Sequence, residues 1–121
     1  MKKKILLVED DSFLIDIYKT RLELEGFDLL VAKDGEEALA FSEENKPLLV
    51  LLDIVLPHLD GWQVLKKIRE IPGMKDSKIV VLSNLGQKEE VQKGIKLGAD
   101  KYLIKSDFTP SQVVEEIKKI L

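Results

Sequence analysis

No cysteine occurs among the 121 residues, so the chain can form neither disulfide bonds nor thiolate metal sites. The only histidine, His58, follows Pro57, and no histidine metal cluster or catalytic triad is recognisable around it. The formal net charge of −3 lacks the basic excess that direct nucleic-acid binding usually requires. No apolar run approaches the ~18 residues of a membrane span. These absences exclude several classes of protein and leave acidic and hydroxyl groups as the candidates for chemistry.

The first residues of the sequence do not fit the pattern of a secretion signal. Lysines at positions 2–4 are followed by only four apolar residues, 5–8, before acidic residues begin. That stretch is too short for the apolar region of a signal peptide. We therefore expect a cytoplasmic protein with no membrane contact.

The length and composition favour one folded domain over residues 1–121. Hydrophobic residues make up 45% of the chain and charged residues 34%, which is typical of a globular protein rather than a disordered one. No linker or internal repeat is visible, and a chain of this length can bury a substantial core.

Five short apolar runs predict the strands of the fold, at residues 5–8, 29–32, 48–52, 79–82 and 102–104. Residues 48–52 are apolar at successive positions, which indicates strands covered on both faces, as in a parallel sheet. Each interval between runs has room for a helix and two loops. Since crossovers between parallel strands are right-handed, helices must cover both faces of the sheet. The prediction is an α/β, doubly wound (βα)5 fold.

Helix signals agree with this arrangement. Val64, Leu65, Ile68 and Ile71 recur at helical spacing and predict one buried face. Capping boxes are predicted at 34–37, 60–63 and 109–112, the last with proline at the first helical position. Gly26 and Gly98 stand where helices should end.

Polar residues directly follow four of the five runs. The first is followed by residues 9–11, all acidic, the third by Asp53, the fourth by Ser83 and the fifth by Lys105. In an open parallel sheet these strand ends meet at one edge, where ligands bind. We therefore expect Glu9, Asp10, Asp53, Ser83 and Lys105 to lie close together.

Several carboxylates packed together repel one another and raise one another's pKa values. A hard divalent cation relieves this, and all-oxygen ligands favour Mg²⁺, Ca²⁺ or Mn²⁺. Lys105 adds a positive charge suited to a phosphoryl group, and a carboxylate such as Asp53 can act as a nucleophile that becomes an aspartyl phosphate. Alone, each residue has a simpler explanation: a strand-end Asp is commonly a helix cap, Ser83 a turn hydroxyl and Lys105 a solvated side chain. Their joint occurrence favours a site.

These segments resemble the receiver domain of two-component response regulators over nearly the full chain. The matching segments are ILLVEDD (5–11), LLDIVLP (51–57), DG (60–61), VVLS (80–83) and GADKYLIK (98–105). The resemblance implies a flavodoxin-like strand order, 2-1-3-4-5, which is a known order for the chemotaxis member of this family.

The resemblance also implies roles for individual residues. Asp53 is the expected phosphoacceptor, Asp10 a direct Mg²⁺ ligand, Glu9 an acid that acts on the metal largely through water, and the Val55 carbonyl a further ligand. Lys105 would bind a phosphoryl oxygen. Ser83 would hydrogen-bond the attached phosphoryl group, and Tyr102 would turn inward when the Ser83 hydroxyl moves.

The function implied is a signalling switch that assists its own phosphorylation and dephosphorylation rather than a turnover enzyme. The donor would be a phosphohistidine on a sensor histidine kinase or phosphotransfer protein. The phosphoryl group adds roughly −1.5 to −2 charges and would change a surface formed by the fourth helix, fifth strand and fifth helix. That surface would bind an unidentified downstream protein, with the chain a monomer or a phosphorylation-dependent dimer.

Two positions depart from the family pattern. Ser106 replaces the usual proline after Lys105, and Asn84 follows Ser83 where a smaller residue is commoner. The proline bond is often cis in the family, whereas a cis bond before another residue costs about 2.5–4 kcal/mol. Two outcomes are open: a trans bond with the loop re-routed through Ser106 and Asp107, which the base rate of non-proline bonds favours, or a cis bond whose strain the packed surroundings offset. Because Lys105 must reach the phosphoryl site, we favour the cis bond.

Three other functions compete with the switch. A flavodoxin-like cofactor binder would need a Ser/Thr/Gly-rich phosphate loop after the first strand, where this chain is acidic. An acid-phosphatase-like enzyme would need a second acid two residues after Asp53, where Val55 stands. A pseudo-receiver that binds proteins without phosphorylation remains the main alternative, and the complete acidic set with Ser83 and Lys105 argues against it.

Overall fold

The computed structural model describes residues 2–121, in which five strands alternate with five helices. The strands are β1 (Lys4–Val8), β2 (Asp28–Ala32), β3 (Leu49–Leu52), β4 (Lys78–Ser83) and β5 (Lys101–Ile104). The helices are α1 (Ser12–Leu24), α2 (Gly35–Asn45), α3 (Gly61–Glu70), α4 (Lys88–Lys96) and α5 (Pro110–Ile120). A short 3-10 helix, Lys105–Asp107, lies between β5 and α5 and was not predicted.

All neighbouring strands pair in parallel, in the order β2-β1-β3-β4-β5. This confirms the predicted doubly wound (βα)5 fold and its 2-1-3-4-5 strand order. Strand β3 is central, and Leu52 at its end is level with Val8 of β1 and Val81 of β4. The residues that follow these three strands therefore leave the sheet side by side.

The sheet separates two apolar layers, because successive residues of its strands point to opposite faces. Leu6 and Val8 of β1 join one layer with side chains of α2 and α3, whereas Ile5 and Leu7 join the other with α1 and α5. Both layers are buried, which explains why the strands are apolar at successive positions. The helix face predicted in α3 is buried as expected.

The helix boundaries agree with the predicted signals in part. Thr109 and Gln112 form the complete capping box predicted for α5. Asp34 caps α2 through the Glu37 N–H, but the Glu37 carboxylate accepts from Lys33, so this predicted box is only half formed. The predicted box at 60–63 is likewise incomplete, since the Asp60 carboxylate accepts from Trp62.

Gly26 and Gly98 follow α1 and α4 with φ of +92° and +119°, as glycines that end helices do. In the described part of the chain, no helix has both the length and the apolarity that a bilayer-spanning helix needs.

Candidate functional site

The carboxyl edge of the sheet gathers the predicted residues. Glu9 and Asp53 follow β1 and β3 and are nearly buried, with 3% and 7% exposed, whereas Asp10 is exposed. Ser83 ends β4 and is fully buried. The edge therefore holds two carboxylates beneath the surface and a third at its rim.

Lys105 reaches this edge from the end of β5. Its Nζ lies 2.7 Å from Asp53 Oδ2 and 2.8 Å from Glu9 Oε1, and the lysine side chain is only 15% exposed. Charge-assisted bonds of this length in a poorly hydrated place are much stronger than surface ion pairs. The ammonium thus holds the two buried carboxylates together.

The remaining oxygens of these carboxylates accept backbone N–H groups. Glu9 Oε2 accepts from Asp10 and Asp11 at 3.1 and 3.2 Å, and Asp53 Oδ1 accepts from Val55 at 3.0 Å. Among the described residues, the Asp10 carboxylate receives no hydrogen bond. Asp10 is therefore the acid with both oxygens free for a ligand, whereas Glu9 is committed to protein donors.

Burial and neighbouring charges shift the pKa values of Glu9 and Lys105. Burial raises the pKa of the Glu9 carboxyl above its usual value, and Lys105 only partly opposes that shift. Burial by itself would lower the pKa of the Lys105 ammonium, but its hydrogen bonds to Asp53 and Glu9 outweigh burial and raise that pKa. The lysine is consequently charged at neutral pH in spite of its burial.

The acidic set fits a hard divalent cation. Glu9, Asp10 and Asp53 can each offer one carboxylate oxygen, and these atoms lie within 4.8 Å of one another. Three carboxylates beside one ammonium leave an excess of negative charge. All-oxygen donors and uncompensated negative charge are what Mg²⁺ sites provide, so the residues present match the predicted metal.

Ser83 and Tyr102 are connected through one residue of the loop after β4. The Leu85 N–H donates to Ser83 Oγ at 3.3 Å, and the Tyr102 hydroxyl donates to the Leu85 carbonyl at 2.5 Å. Tyr102 is half-buried beside α4 rather than directed into solvent. The Leu85 peptide groups thus link the hydroxyl at the acidic edge to the aromatic ring on β5.

The phenols of Tyr18 and Tyr102 should lose their protons at a higher pH than an ordinary tyrosine does. Burial raises the pKa of Tyr102, with Glu90 and Asp53 adding to the shift, and burial likewise raises the pKa of Tyr18. Since the folded-state pKa is raised, the stability linked to each phenol is fully present below its usual pKa near 10 and is lost as the pH rises through the folded value.

In a Tyr18→Phe variant, in which Tyr102 is the only tyrosine, phenolate absorbance should rise at higher pH in the folded protein than in urea. Coincident curves would contradict this.

The Lys105–Ser106 bond is trans, so the predicted cis bond is wrong: the chain contains no cis peptide over the residues that the structure describes. Lys105 nevertheless reaches Asp53 and Glu9, and the chain turns into the 3-10 helix at Lys105–Asp107 directly after β5. A trans bond avoids the cost of about 2.5–4 kcal/mol for a non-proline cis peptide. The lysine can be placed without cis geometry.

The start of α3 packs directly on the loop that follows Asp53. A Cβ atom at Gly61, the first residue of α3, would overlap the carbonyl of Ile54. Only glycine therefore allows the start of α3 to pack on this loop. The Val55 side chain is 56% exposed, and its N–H holds Asp53.

No sequence pattern points to Leu85, because it acts through its backbone. The same holds for the N–H groups of Asp10, Asp11 and Val55 that hold Glu9 and Asp53. Gly61 was noted only in a capping and family pattern. The position of Gly61 directly after the helix cap Asp60 was the one sequence signal that the chain passes close to another segment there.

Comparison with known proteins gives a consistent result. The family model described as "Response regulator receiver domain" matches residues 5–118. The chain is 41% identical over 123 residues to the alkaline phosphatase synthesis transcriptional regulatory protein PhoP of Bacillus subtilis, with 100% of this chain and 49% of the relative covered. The chain spans about half the length of the curated relatives it matches.

Solved structures show the same fold. The chemotaxis protein CheY4 of Vibrio cholerae superposes with a TM-score of 0.92 at 26% identity, with 100% of both chains covered. A CheY-like response regulator receiver domain protein from Methanospirillum hungatei superposes with a TM-score of 0.90 at 31% identity, covering 98% of this chain and 93% of that one.

Proposed function

The chain belongs to the response regulator receiver domain family, and on that premise we propose that it is a signalling switch phosphorylated on Asp53 by a phosphohistidine donor. The observation that carries the proposal is the placement of Asp53. This carboxylate directly follows the central strand, is nearly buried, and is held by Lys105 beside two further acids. A buried carboxylate with this surrounding is suited to nucleophilic attack.

The transfer is a single displacement at phosphorus. An Asp53 carboxylate oxygen forms a bond to phosphorus, and the P–N bond of the donor breaks with its electron pair going to the imidazole nitrogen, which takes up a proton from water. Lys105 would turn from Asp53 Oδ2, 2.7 Å away, to a phosphoryl oxygen. The buried Ser83 hydroxyl can donate a hydrogen bond to another phosphoryl oxygen while it still accepts one from the Leu85 N–H.

The metal would be held by Asp10 and Asp53, with Glu9 acting through water, and Asp53 would give up its bond to Lys105 or to the Val55 N–H to do so. A Val55 carbonyl ligand is part of the same proposal. When bound, Mg²⁺ supplies positive charge that neutralises the acidic set and the incoming phosphoryl oxygens.

Intact mass after treatment with acetyl phosphate and Mg²⁺ tests the function. We expect the protein to gain the mass of one phosphoryl group, because the small donor needs no cognate kinase. A protein that stays unlabelled with both acetyl phosphate and phosphoramidate would favour the alternative, a pseudo-receiver that binds partners without phosphorylation.

Metal binding gives a separate prediction. Mg²⁺ should raise the melting temperature, since a ligand that binds only the folded state stabilises it. Asp10→Ala should remove most of this response with little effect on the metal-free protein, because the exposed Asp10 carboxylate accepts no hydrogen bond within residues 2–121. The measurement is the melting temperature with EDTA and with Mg²⁺.

Asp11→Asn is the matched control. Asp11 caps α1 through the Phe13 and Leu14 N–H groups, and asparagine can keep these bonds. The control should therefore respond to Mg²⁺ like the parent. An undiminished response in Asp10→Ala would place the metal elsewhere.

The partners follow from the phosphoryl donor and from the switch. We propose a histidine kinase or phosphotransfer protein as donor and a downstream protein as target, contacted through α4, β5 and α5. The transcriptional role in the name of PhoP concerns a protein of which this chain spans 49%. For the present chain, phosphorylation-dependent protein contact is the proposed output.

A further inference from the structure

Helix α4 is attached to the sheet in an unusual way. Gly94 is its only buried residue, whereas α1, α2, α3 and α5 each bury at least three. The next residue, Ile95, is 48% exposed. A helix with so little buried side-chain surface is easily displaced, so its position depends on what contacts Gly94.

The contact at Gly94 is the ring of Tyr102. A Cβ atom built on Gly94 would lie 2.7 Å from Cδ2 and 2.8 Å from Cε2 of that ring. Such distances are closer than carbon atoms can approach, and a flat ring cannot bend away as a flexible side chain can. Glycine is unfavourable inside a helix, and the ring lying against the helix backbone supplies a physical reason for it here.

The ring position in turn decides where the Tyr102 hydroxyl can reach. It donates to the Leu85 carbonyl, and the Leu85 N–H donates to Ser83 Oγ at the acidic edge. The Trp62 ring also lies next to this part of α4: the Lys93 ammonium is 4.7 Å from its centre, and its Cζ3 atom would lie 3.6 Å from a Cβ atom on Gly94, an ordinary contact distance. The loop before α4 and the helix itself are therefore contacted by two aromatic side chains, and only the Tyr102 ring is too close for a side chain at position 94.

We propose that Gly94 is a positioning residue of the switch: its missing side chain lets the Tyr102 ring lie against α4, where the hydroxyl holds Leu85 and, through it, the loop bonded to Ser83. A side chain at position 94 displaces the ring and separates Tyr102 from Ser83. The placement of the ring stands on contacts alone, whereas its regulatory meaning rests on the proposed function.

Gly86 provides a matched control in the same loop. A Cβ atom there would lie 2.9 Å from Cδ1, 3.1 Å from Cγ2 and 3.2 Å from Cγ1 of Ile104, an aliphatic side chain that also lies on β5. These contacts are relieved by a rotation of the aliphatic side chain through a few tenths of an ångström. Both variants add one methyl group next to β5, but only Gly94→Ala meets a rigid ring.

The first experiment titrates Tyr102 alone, in the Tyr18→Phe background without any phosphoryl donor. Displacing the ring from burial and from Glu90 should lower its pKa toward the usual value in Gly94→Ala and leave it unchanged in Gly86→Ala. Equal curves for parent and Gly94→Ala would overturn the proposal. Since no phosphorylation occurs, this result is independent of the proposed function.

A double variant keeps the test decisive if Gly94→Ala folds poorly. In the Tyr102→Leu background, the flexible leucine leaves room for a methyl group, so Gly94→Ala should raise the melting temperature through better helix propensity. In the parent it should lower it. A loss of stability in both backgrounds would show that the ring is not what excludes a side chain at position 94.

The proposed coupling between the Tyr102 ring and Asp53 is tested with beryllofluoride, a mimic of the phosphoryl group, in the presence of Mg²⁺. If ring position and Asp53 modification are coupled, Gly94→Ala should weaken beryllofluoride binding by roughly 5-fold or more, as reciprocal coupling between sites requires. Gly86→Ala should bind like the parent. Unchanged affinity with a lowered Tyr102 pKa would overturn the coupling, and failure of the parent itself to bind would instead count against the proposed function.

Discussion

Asp53→Asn is expected to abolish phosphorylation while leaving the fold intact. The amide has no anionic oxygen to attack phosphorus, so the intact mass should stay constant after acetyl phosphate and Mg²⁺. The fold should persist because the asparagine carbonyl can still accept from the Val55 N–H, and Lys105 keeps its bond to Glu9. The substitution also removes one of three crowded carboxylates.

Asp34→Asn is the matched control for this experiment. Asp34 caps α2 through the Glu37 N–H, a role that asparagine fills equally well. The control makes the same chemical change at a helix cap after β2, outside the acidic set, and should be phosphorylated like the parent. Equal labelling of Asp53→Asn and the parent would refute the assignment of Asp53 as acceptor.

Lys105→Met is expected to lower the free energy of unfolding by about 3–5 kcal/mol in metal-free buffer, the usual effect of removing one partner of a buried ion pair. Glu9 and Asp53 would then face each other with 3% and 8% of their side chains exposed and no ammonium nearby. Mg²⁺ should restore part of the loss and bind more tightly than in the parent, because a competing positive charge is gone. Urea unfolding with EDTA and with Mg²⁺ measures both effects.

Lys118→Met serves as the comparison. Lys118 also contacts two carboxylates, of Glu25 and Glu115, but all three side chains are more than a third exposed. Its removal should change stability little. Similar losses in the two variants would mean that burial does not govern the Lys105 contribution.

The pH dependence tests whether the contribution of Lys105 to stability comes from its charge. The Lys105 pKa lies above its ordinary 10.5, so the stability from its charge is fully present below that pH and lost as the pH rises through the folded value. The difference in stability between the parent and Lys105→Met should therefore narrow in strong alkali. A constant difference would argue that packing of the lysine stem, rather than its charge, is responsible.

Much of the fold could be predicted because a parallel sheet imposes a strong local pattern. Strands covered on both faces must be apolar at every position, as 49–52 are, and all five were found within one or two residues. Helix ends depended on single hydrogen bonds and were less predictable. For example, Asp60 caps α3 by accepting a hydrogen bond from the Trp62 N–H, whereas a capping box between Asp60 and Gln63 was predicted.

The acidic edge was predictable for the same reason. Residues that directly follow parallel strands must leave the sheet on one side, so Glu9, Asp53, Ser83 and Lys105 were bound to meet there once the strands were placed. The residue types then limited the chemistry to oxygen ligands, one hydroxyl and one ammonium. The peptide geometry after Lys105 was not predictable, because the 3-10 helix that follows β5 has no clear sequence signal.

The sequence by itself determined the order of strands and helices along the chain and the residue types at the carboxyl edge. Each strand or helix is set by the apolar pattern of its own consecutive residues, and the residue that follows a strand is fixed by the covalent chain. Only the tertiary structure decided which partner each group takes: that Lys105 spans Glu9 and Asp53, that Leu85 links Ser83 to Tyr102, and that the Tyr102 ring occupies the space left by Gly94. Such contacts are made or lost when the distance between residues far apart in the chain changes by a few tenths of an ångström. Side-chain packing sets these distances, and no spacing along the sequence encodes them.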